Sequence, residues 1–80
     1  MKNNTCIVCE YGWIIIGIKR ETQKADEILL ENASVVRNWY NGKGIGGIAK
    51  EANKSEYTLD EIGDVSIYKS KVLFEIPCEW

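Results

Sequence analysis

The segment VVRNWYNGKGIGGIAKEA, residues Val35–Ala52, combines two different residue patterns. Its first part has the β-branched and aromatic residues that are typical of strands, and four glycines then occur between Gly42 and Gly47. Its last part has apolar residues at i, i+3, i+4 and i+7, which form one stripe along a short helix. The residues of this stripe are Ile45, Ile48, Ala49 and Ala52. The segment therefore predicts a strand, a tight turn and one short helix that packs its stripe against a sheet.

The rest of the chain is dominated by short runs with strand-type composition. The first two runs predict a hairpin that turns at Tyr11–Gly12, and Gly17 within the second run predicts a β-bulge or a close approach of two backbones. Asn32–Ser34 predicts a bend between the third and fourth runs, and residues 53–64 predict a polar connection with one short strand at Tyr57–Leu59. In chain order the main runs are TCIVCE, WIIIGIK, EILLEN, SVVRNWY, VSIYKS and KVLFEIPCEW.

The order of these elements is four strands, one helix and two or three further strands. It predicts an α+β fold that is mainly antiparallel β, as a curved sheet or small open barrel with one short helix. The chain has 80 residues, of which 45% are hydrophobic and 28% are charged, so we expect one folded domain over residues 1–80. A core of this size is modest, and an antiparallel sheet leaves exposed edges. We therefore expect a homo-oligomer, most simply a dimer.

Charge and residue types argue against several function classes. The net charge of −2 provides no overall positive field, so general binding of DNA or RNA is not expected. The chain has no histidine, which removes the most adaptable general base near neutral pH, and we expect no enzyme activity. No apolar run reaches the length of a membrane span, and no secretory signal is recognisable. We therefore expect a cytoplasmic protein without membrane contact.

The three cysteines do not form a recognisable metal or redox motif. An odd number in a cytosolic protein argues against a disulfide framework. Cys6 and Cys9 have CxxC spacing, but residues three apart in a strand point to opposite faces of the sheet. A second CxxC pair and a histidine, which would complete a zinc site, are both missing. We expect strand cysteines that pack as small apolar residues, with no cofactor and no metal.

The glycine-rich junction allows two interpretations, an anion site and a structural turn. Glycines let backbone amides approach a ligand, and the first N–H groups of a helix are unpaired and favour an anion. A cation before the glycines and another among them add charge, and two aromatic residues offer flat faces for a base. The candidate ligand-binding residues are Arg37, Trp39, Tyr40, Lys43, Gly44, Ile45 and Gly46. In the alternative, the glycines serve only a tight strand-to-helix turn and Trp39 is a core residue.

Several short motifs resemble a family of small uncharacterised proteins of phages and prophages. In that family an NA-x-V-I-R-x-W strand precedes G-L-G-x-L-A and a later L-D-x-x-G-x-V. The chain differs from the family at Tyr40 and Asn41, where the family has smaller hydroxyl residues. The matching stretches are GW at Gly12–Trp13, ENASVVRNW at Glu31–Trp39, GKGIGGIA at Gly42–Ala49, TLDEIGDVSI at Thr58–Ile67 and VLFEIPC at Val72–Cys78.

The resemblance implies a phage or prophage origin and a β-rich fold, and it assigns no reaction. Small β-rich oligomers that sequester nucleotide immune signals are known among phage proteins. By analogy with them, we expect a non-enzymatic protein of the host cytosol that binds a small anionic or nucleotide-like ligand, as an anti-defence sponge. The alternative function is inhibition of a host defence protein by direct protein–protein contact.

Overall fold

Five strands form one sheet within the residues that the computed structural model describes, which are 4–20, 22–39, 47, 49–50 and 57–79. The strands are β1 (Asn4–Cys9), β2 (Ile14–Arg20), β3 (Glu27–Trp39), β4 (Tyr57–Tyr68) and β5 (Val72–Pro77). Single 3₁₀ turns connect β1 to β2 and β4 to β5, at Glu10–Gly12 and Lys69–Lys71. The strand order is β4-β3-β2-β1-β5, and every neighbouring pair is antiparallel. The prediction of a mainly antiparallel, open sheet is therefore confirmed.

The third and fourth predicted strands are one continuous strand, β3, so their separation is wrong. The predicted bend at Asn32–Ser34 is a β-bulge, because Asn32 has φ 50 and the pairing register shifts here on both sides of the strand. A bulge bends a strand without removing it from the sheet. The short strand predicted at Tyr57–Leu59 is the start of β4, whereas the polar connection predicted after it is wrong from Asp60 onward, since β4 continues there and pairs with β3. As an edge strand, β4 accommodates exposed acidic side chains.

Three neighbouring strands each have a residue with no side chain or with left-handed backbone near the same position. We call these residues, Gly17, Asn32 and Gly63, the bend line. Gly17 on β2 lies so close to β3 that a Cβ there would be 3.1 Å from the Cα of Ala33. Asn32 on β3 and Gly63 on β4 have φ 50 and φ 78, in the region that favours asparagine and glycine. The predicted close backbone approach at Gly17 is confirmed. Because bulges increase local bending and twist, we expect the sheet to bend along this line.

Two apolar layers cover the two faces of the sheet, because side chains alternate along each strand. The Ala49 layer contains Cys6, Val8, Ile14, Ile16, Val36, Ala49 and Cys78. The Leu30 layer contains Ile7, Cys9, Ile15, Ile28, Leu30, Ala33 and Ile67. Cys6 and Cys9 belong to different layers, so the prediction that the CxxC thiols diverge is confirmed.

Leu73 and Phe74 on the last strand are candidates for the core by their composition, and alternation leaves open which of the two faces it. Both are largely exposed, since they retain 63% and 47% of their accessible surface. On β5 the register with β1 shifts beside Val8 and Cys9, so Leu73 is the unpaired residue of a bulge. Among the described strands, β5 is also an edge strand, with a neighbour on one side only. The expectation that one of the two residues is buried is wrong, because alternation alone does not show which strand lies at an edge.

The predicted helix lies mostly outside the described residues. Gly47, Ala49 and Lys50 have helical backbone, whereas Ile45, Ile48 and Ala52 are not described. The Ala49 side chain is buried against the sheet, and its carbonyl accepts a hydrogen bond of 2.7 Å from the N–H of Glu79. A full helix over this segment therefore stays a prediction. No helix among the described residues is long and apolar enough to span a membrane.

Candidate ligand site

An open cavity of about 520 Å³ lies between the β1–β2 turn and the paired ends of β3 and β4. The turn contributes aromatic side chains, β3 contributes a cation, and β4 contributes a carboxylate and an exposed isoleucine. The lining residues are Tyr11, Gly12, Trp13, Ile14, Val35, Val36, Arg37, Asp60 and Ile62. We call this space the Arg37 cavity.

Strand register brings the polar and aromatic groups of the Arg37 cavity together. Ile15 on β2 pairs with Val35 on β3, and Val35 pairs with Asp60 on β4. Trp13 precedes Ile15 by two residues, and Arg37 follows Val35 by two. The register of β3 with β4 shifts between Val36 and Asn38, so Arg37 is the unpaired residue of a bulge. Trp13, Arg37 and Asp60 thus come from neighbouring parts of the sheet and line one cavity.

The β1–β2 turn holds two consecutive residues in the left-handed region. Tyr11 has φ 64 and Gly12 has φ 79. The N–H of Cys9 donates a hydrogen bond of 2.7 Å to the carbonyl of Trp13, which closes the turn. This conformation suits glycine but costs a tyrosine about 1–2 kcal/mol. The turn leaves Tyr11 96% exposed and Trp13 56% exposed.

Arg37 and Asp60 form a loose ion pair at the polar side of the cavity. Arg37 Nη1 lies 3.6 Å from Asp60 Oδ2, and the two side chains are 63% and 55% exposed. Exposed pairs of this kind contribute at most about 1 kcal/mol to stability. A guanidinium has five N–H donors, and a single long contact leaves its charge available to an incoming anion.

No family model matches the chain, and no curated protein matches it. Among solved structures, a heptameric archaeal Sm protein, described with implications for the eukaryotic snRNP core, superposes with a TM-score of 0.63. The fold is Sm-like. The match covers 95% of this chain and 85% of that chain at 18% identity, so it shows the fold alone.

The Sm-like sheet places one predicted site residue, Arg37, in the cavity. Trp39 ends β3, but its side chain lies outside the described residues, as do Tyr40 and Lys43–Gly46. Their predicted contacts with a ligand stay predictions.

Apart from Arg37, sequence patterns do not identify the residues that line the cavity. Tyr11–Gly12 predicts a turn, Trp13 falls in a predicted strand, and Asp60 and Ile62 fall in the predicted polar connection. One signal in the sequence could have indicated the cavity. Tyr11 occupies a turn position where asparagine or glycine is usual.

A basic group at the opposite end of the Sm-like sheet is neutralised by carboxylates. Lys19 Nζ lies 2.9 Å from Glu75, and Arg20 Nε lies 2.7 Å from Glu31. Lys24 Nζ lies 3.7 Å from Glu27. Because each of these cations has an acidic neighbour, this end has little net positive charge with which to hold a polyanion.

The thiols are buried and poorly suited to chemistry. Burial, with Cys78 nearby, raises the pKa of Cys6 to about 12, and burial raises the pKa of Cys78 to about 11. Burial and then Glu10 also raise the pKa of Cys9. A neutral thiol is a weak nucleophile. Among the described residues, no group of three acidic or cysteine side chains is arranged to hold a metal ion.

Proposed function

We propose that this chain is a non-enzymatic binder of a small anionic, nucleotide-like ligand in the Arg37 cavity. The supporting observation is the combination of a cation with two exposed aromatic side chains in one open cavity of about 520 Å³. Small-molecule sites commonly have volumes of roughly 300–1,000 Å³. Tyrosine and tryptophan rings that remain exposed in a folded protein offer stacking area for a base.

Each group has a role that follows from its chemistry. Arg37 presents a planar fork that matches the oxygens of a phosphate. Its contact with Asp60 is long and solvated, so the guanidinium can turn toward a phosphate at little cost. Trp13 supplies a flat face for the base. The predicted residues Lys43 and Gly44–Gly46 would add a charge and backbone donors, with Trp39 or Tyr40 as further stacking partners.

The proposed binder acts as a homo-oligomer, as the structurally similar Sm protein does. β4 and β5 are the two edges of the sheet, and both expose large apolar side chains. These are Ile62 and Tyr68 on β4, and Leu73 and Phe74 on β5. Pairing of β4 in one copy with β5 in the next would cover both edges. Asp60 and Ile62 lie on β4 and line the cavity, so a neighbouring copy would add a wall to the site.

The biological setting that we propose is a phage-encoded sponge in the host cytosol. Sequestration requires affinity and copy number but no bond-making step. The phage-type motifs and the open cavity together favour a nucleotide immune signal as the ligand.

Titration with a panel of cyclic and ADP-ribose-type nucleotides, followed by thermal shift and calorimetry, tests the proposal. A true ligand at a hundred times its Kd should stabilise the fold by about 2.7 kcal/mol. Arg37→Ala should weaken binding by roughly 1.5–3 kcal/mol, the usual value of a charged hydrogen bond. Arg20→Ala is the matched control, because Arg20 pairs with Glu31 away from the cavity. A folded wild-type protein that responds to no member of the panel would contradict the proposal.

The alternative function is direct inhibition of a host defence protein. The observation that favours it is the exposed apolar pair Leu73 and Phe74, which offers a surface to another protein. This function predicts a stoichiometric complex that survives Arg37→Ala and is lost on Leu73→Glu, with no nucleotide affinity.

A further inference from the structure

The side chain of Tyr11 has no role in the fold. It is 96% exposed, so it contributes almost nothing to the apolar layers. Its backbone is left-handed with φ 64, a conformation that favours glycine or asparagine over an aromatic residue. A residue that is unfavourable for the turn and unused by the core is best explained by a contact with something outside the chain.

Tyr11 and Trp13 both border open space at the β1–β2 turn. Both residues line the Arg37 cavity, and Gly12 stands between them. A Cβ built on Gly12 would have no atom within 4 Å, so open space surrounds this position. Two aromatic side chains beside open space can stack on one planar group.

Asp60 gives this space a polar edge that prefers N–H donors to anions. An ionised carboxylate only accepts hydrogen bonds, so it repels a phosphate and attracts N–H donors. Its neighbour Arg37, at 3.6 Å, only donates. A ligand with adjacent N–H donors on one edge and an anionic group elsewhere therefore matches Asp60 and Arg37 together better than a phosphate alone does.

We propose that Tyr11, Trp13 and Asp60 form a base subsite that prefers a guanine-type base. Tyr11 and Trp13 stack on the ring, Asp60 accepts from its adjacent imino and amino groups, and Arg37 contacts the phosphate. This subsite rests on the proposed nucleotide-binding function and specifies which part of the ligand the turn contacts.

Calorimetry with guanosine 5′-monophosphate, inosine 5′-monophosphate and ribose 5-phosphate tests the subsite. Wild-type protein should bind the guanine nucleotide at least about tenfold more tightly than the sugar phosphate, as expected for one stacked base. Tyr11→Asn and Tyr11→Gly suit the left-handed turn, so both should fold at least as stably as wild type while losing roughly tenfold in affinity. Gln23→Asn, at an exposed position of the β2–β3 connection away from the cavity and from both edge strands, is the control.

Asp60→Asn tests the polar edge separately. Inosine lacks the 2-amino group of guanosine, so wild-type protein should prefer guanosine monophosphate, and the variant should lose this preference.

The outcomes distinguish the two proposals. If wild-type protein binds none of these compounds and no nucleotide of the larger panel, the proposed function fails, and the subsite fails with it. If nucleotides bind and depend on Arg37 but not on Tyr11, the subsite alone is wrong. Equal affinity for guanosine monophosphate and ribose 5-phosphate, or no loss of guanosine preference in Asp60→Asn, also overturns the subsite.

Discussion

Cys6 and Cys78 show how burial changes the chemistry of a residue. Both thiols are unpaired and lie in the Ala49 layer. Burial is the main cause that raises the pKa of Cys6 to about 12 and that of Cys78 to about 11, from an ordinary value of 9.0. The folded protein therefore holds these protons more tightly than the unfolded chain does, and its stability is linked to pH.

We predict that stability falls as the pH rises from about 9 toward 12. Below pH 9.0 both states keep the thiol protons, whereas between 9.0 and about 11 the unfolded chain loses them and the folded chain does not. Urea unfolding at several pH values measures the slope. Cys6→Ala combined with Cys78→Ala should unfold more easily at neutral pH but show a flatter pH profile above pH 9.0. Equal slopes in the two proteins would contradict the prediction.

Strands and their pairing were partly accessible from sequence. The hairpin at Tyr11–Gly12 and the close approach at Gly17 follow from turn chemistry and from the absence of a side chain. The continuity of β3 was not predictable, because Asn32 in a left-handed bulge resembles a loop residue in the sequence. Asp60 was missed because pattern alone cannot show that an acidic segment pairs as an edge strand.

We predict that Gly17→Ala destabilises the fold by about 1–3 kcal/mol, the usual cost of overpacking. The new Cβ would lie 3.1 Å from the Cα of Ala33 and 3.1 Å from the carbonyl oxygen of Glu31, and backbone atoms cannot move aside easily. Denaturant unfolding measures the effect. Ser66→Ala, at an exposed position of β4, is the control and should change stability by less than about 0.5 kcal/mol. If Gly17→Ala were as stable as wild type, the bend line would not depend on this contact.

The whole molecule presents two unlike edges on opposite sides of one sheet. Among the described strands, β4 lies at one edge and β5 at the other, so each has a free side that a strand from another copy can pair with. When two unlike surfaces form the interface, each copy binds the next in the same way. The copies close into a ring if the rotation from one copy to the next divides a full turn evenly. A dimer, the simplest expectation from sequence, would join the same surface of both copies, so an edge-paired dimer would require like edges to meet.

We predict that light scattering gives a mass several times the 9.1 kDa of one chain. Leu73→Glu should shift the population toward monomer, because Leu73 is exposed on β5 and a charge there would be desolvated when the edge is paired. Gln23→Glu, an exposed position in the β2–β3 connection, introduces the same charge away from both edges and should leave the mass unchanged. A wild-type monomer across the micromolar range would refute edge pairing.

The pairing of β1 with β5 also has a consequence for how the protein is made. β1 precedes the other strands in the chain, yet its outer hydrogen-bonding partner is β5, which follows all of them. A ribosome that has not yet synthesised Val72–Pro77 therefore presents a nascent chain in which β1 has one unsatisfied side. Such non-local closure is slow, on the order of milliseconds to seconds. We expect chains stalled before Val72 to remain sensitive to protease, and chains extended beyond Cys78 to become resistant once the last strand docks.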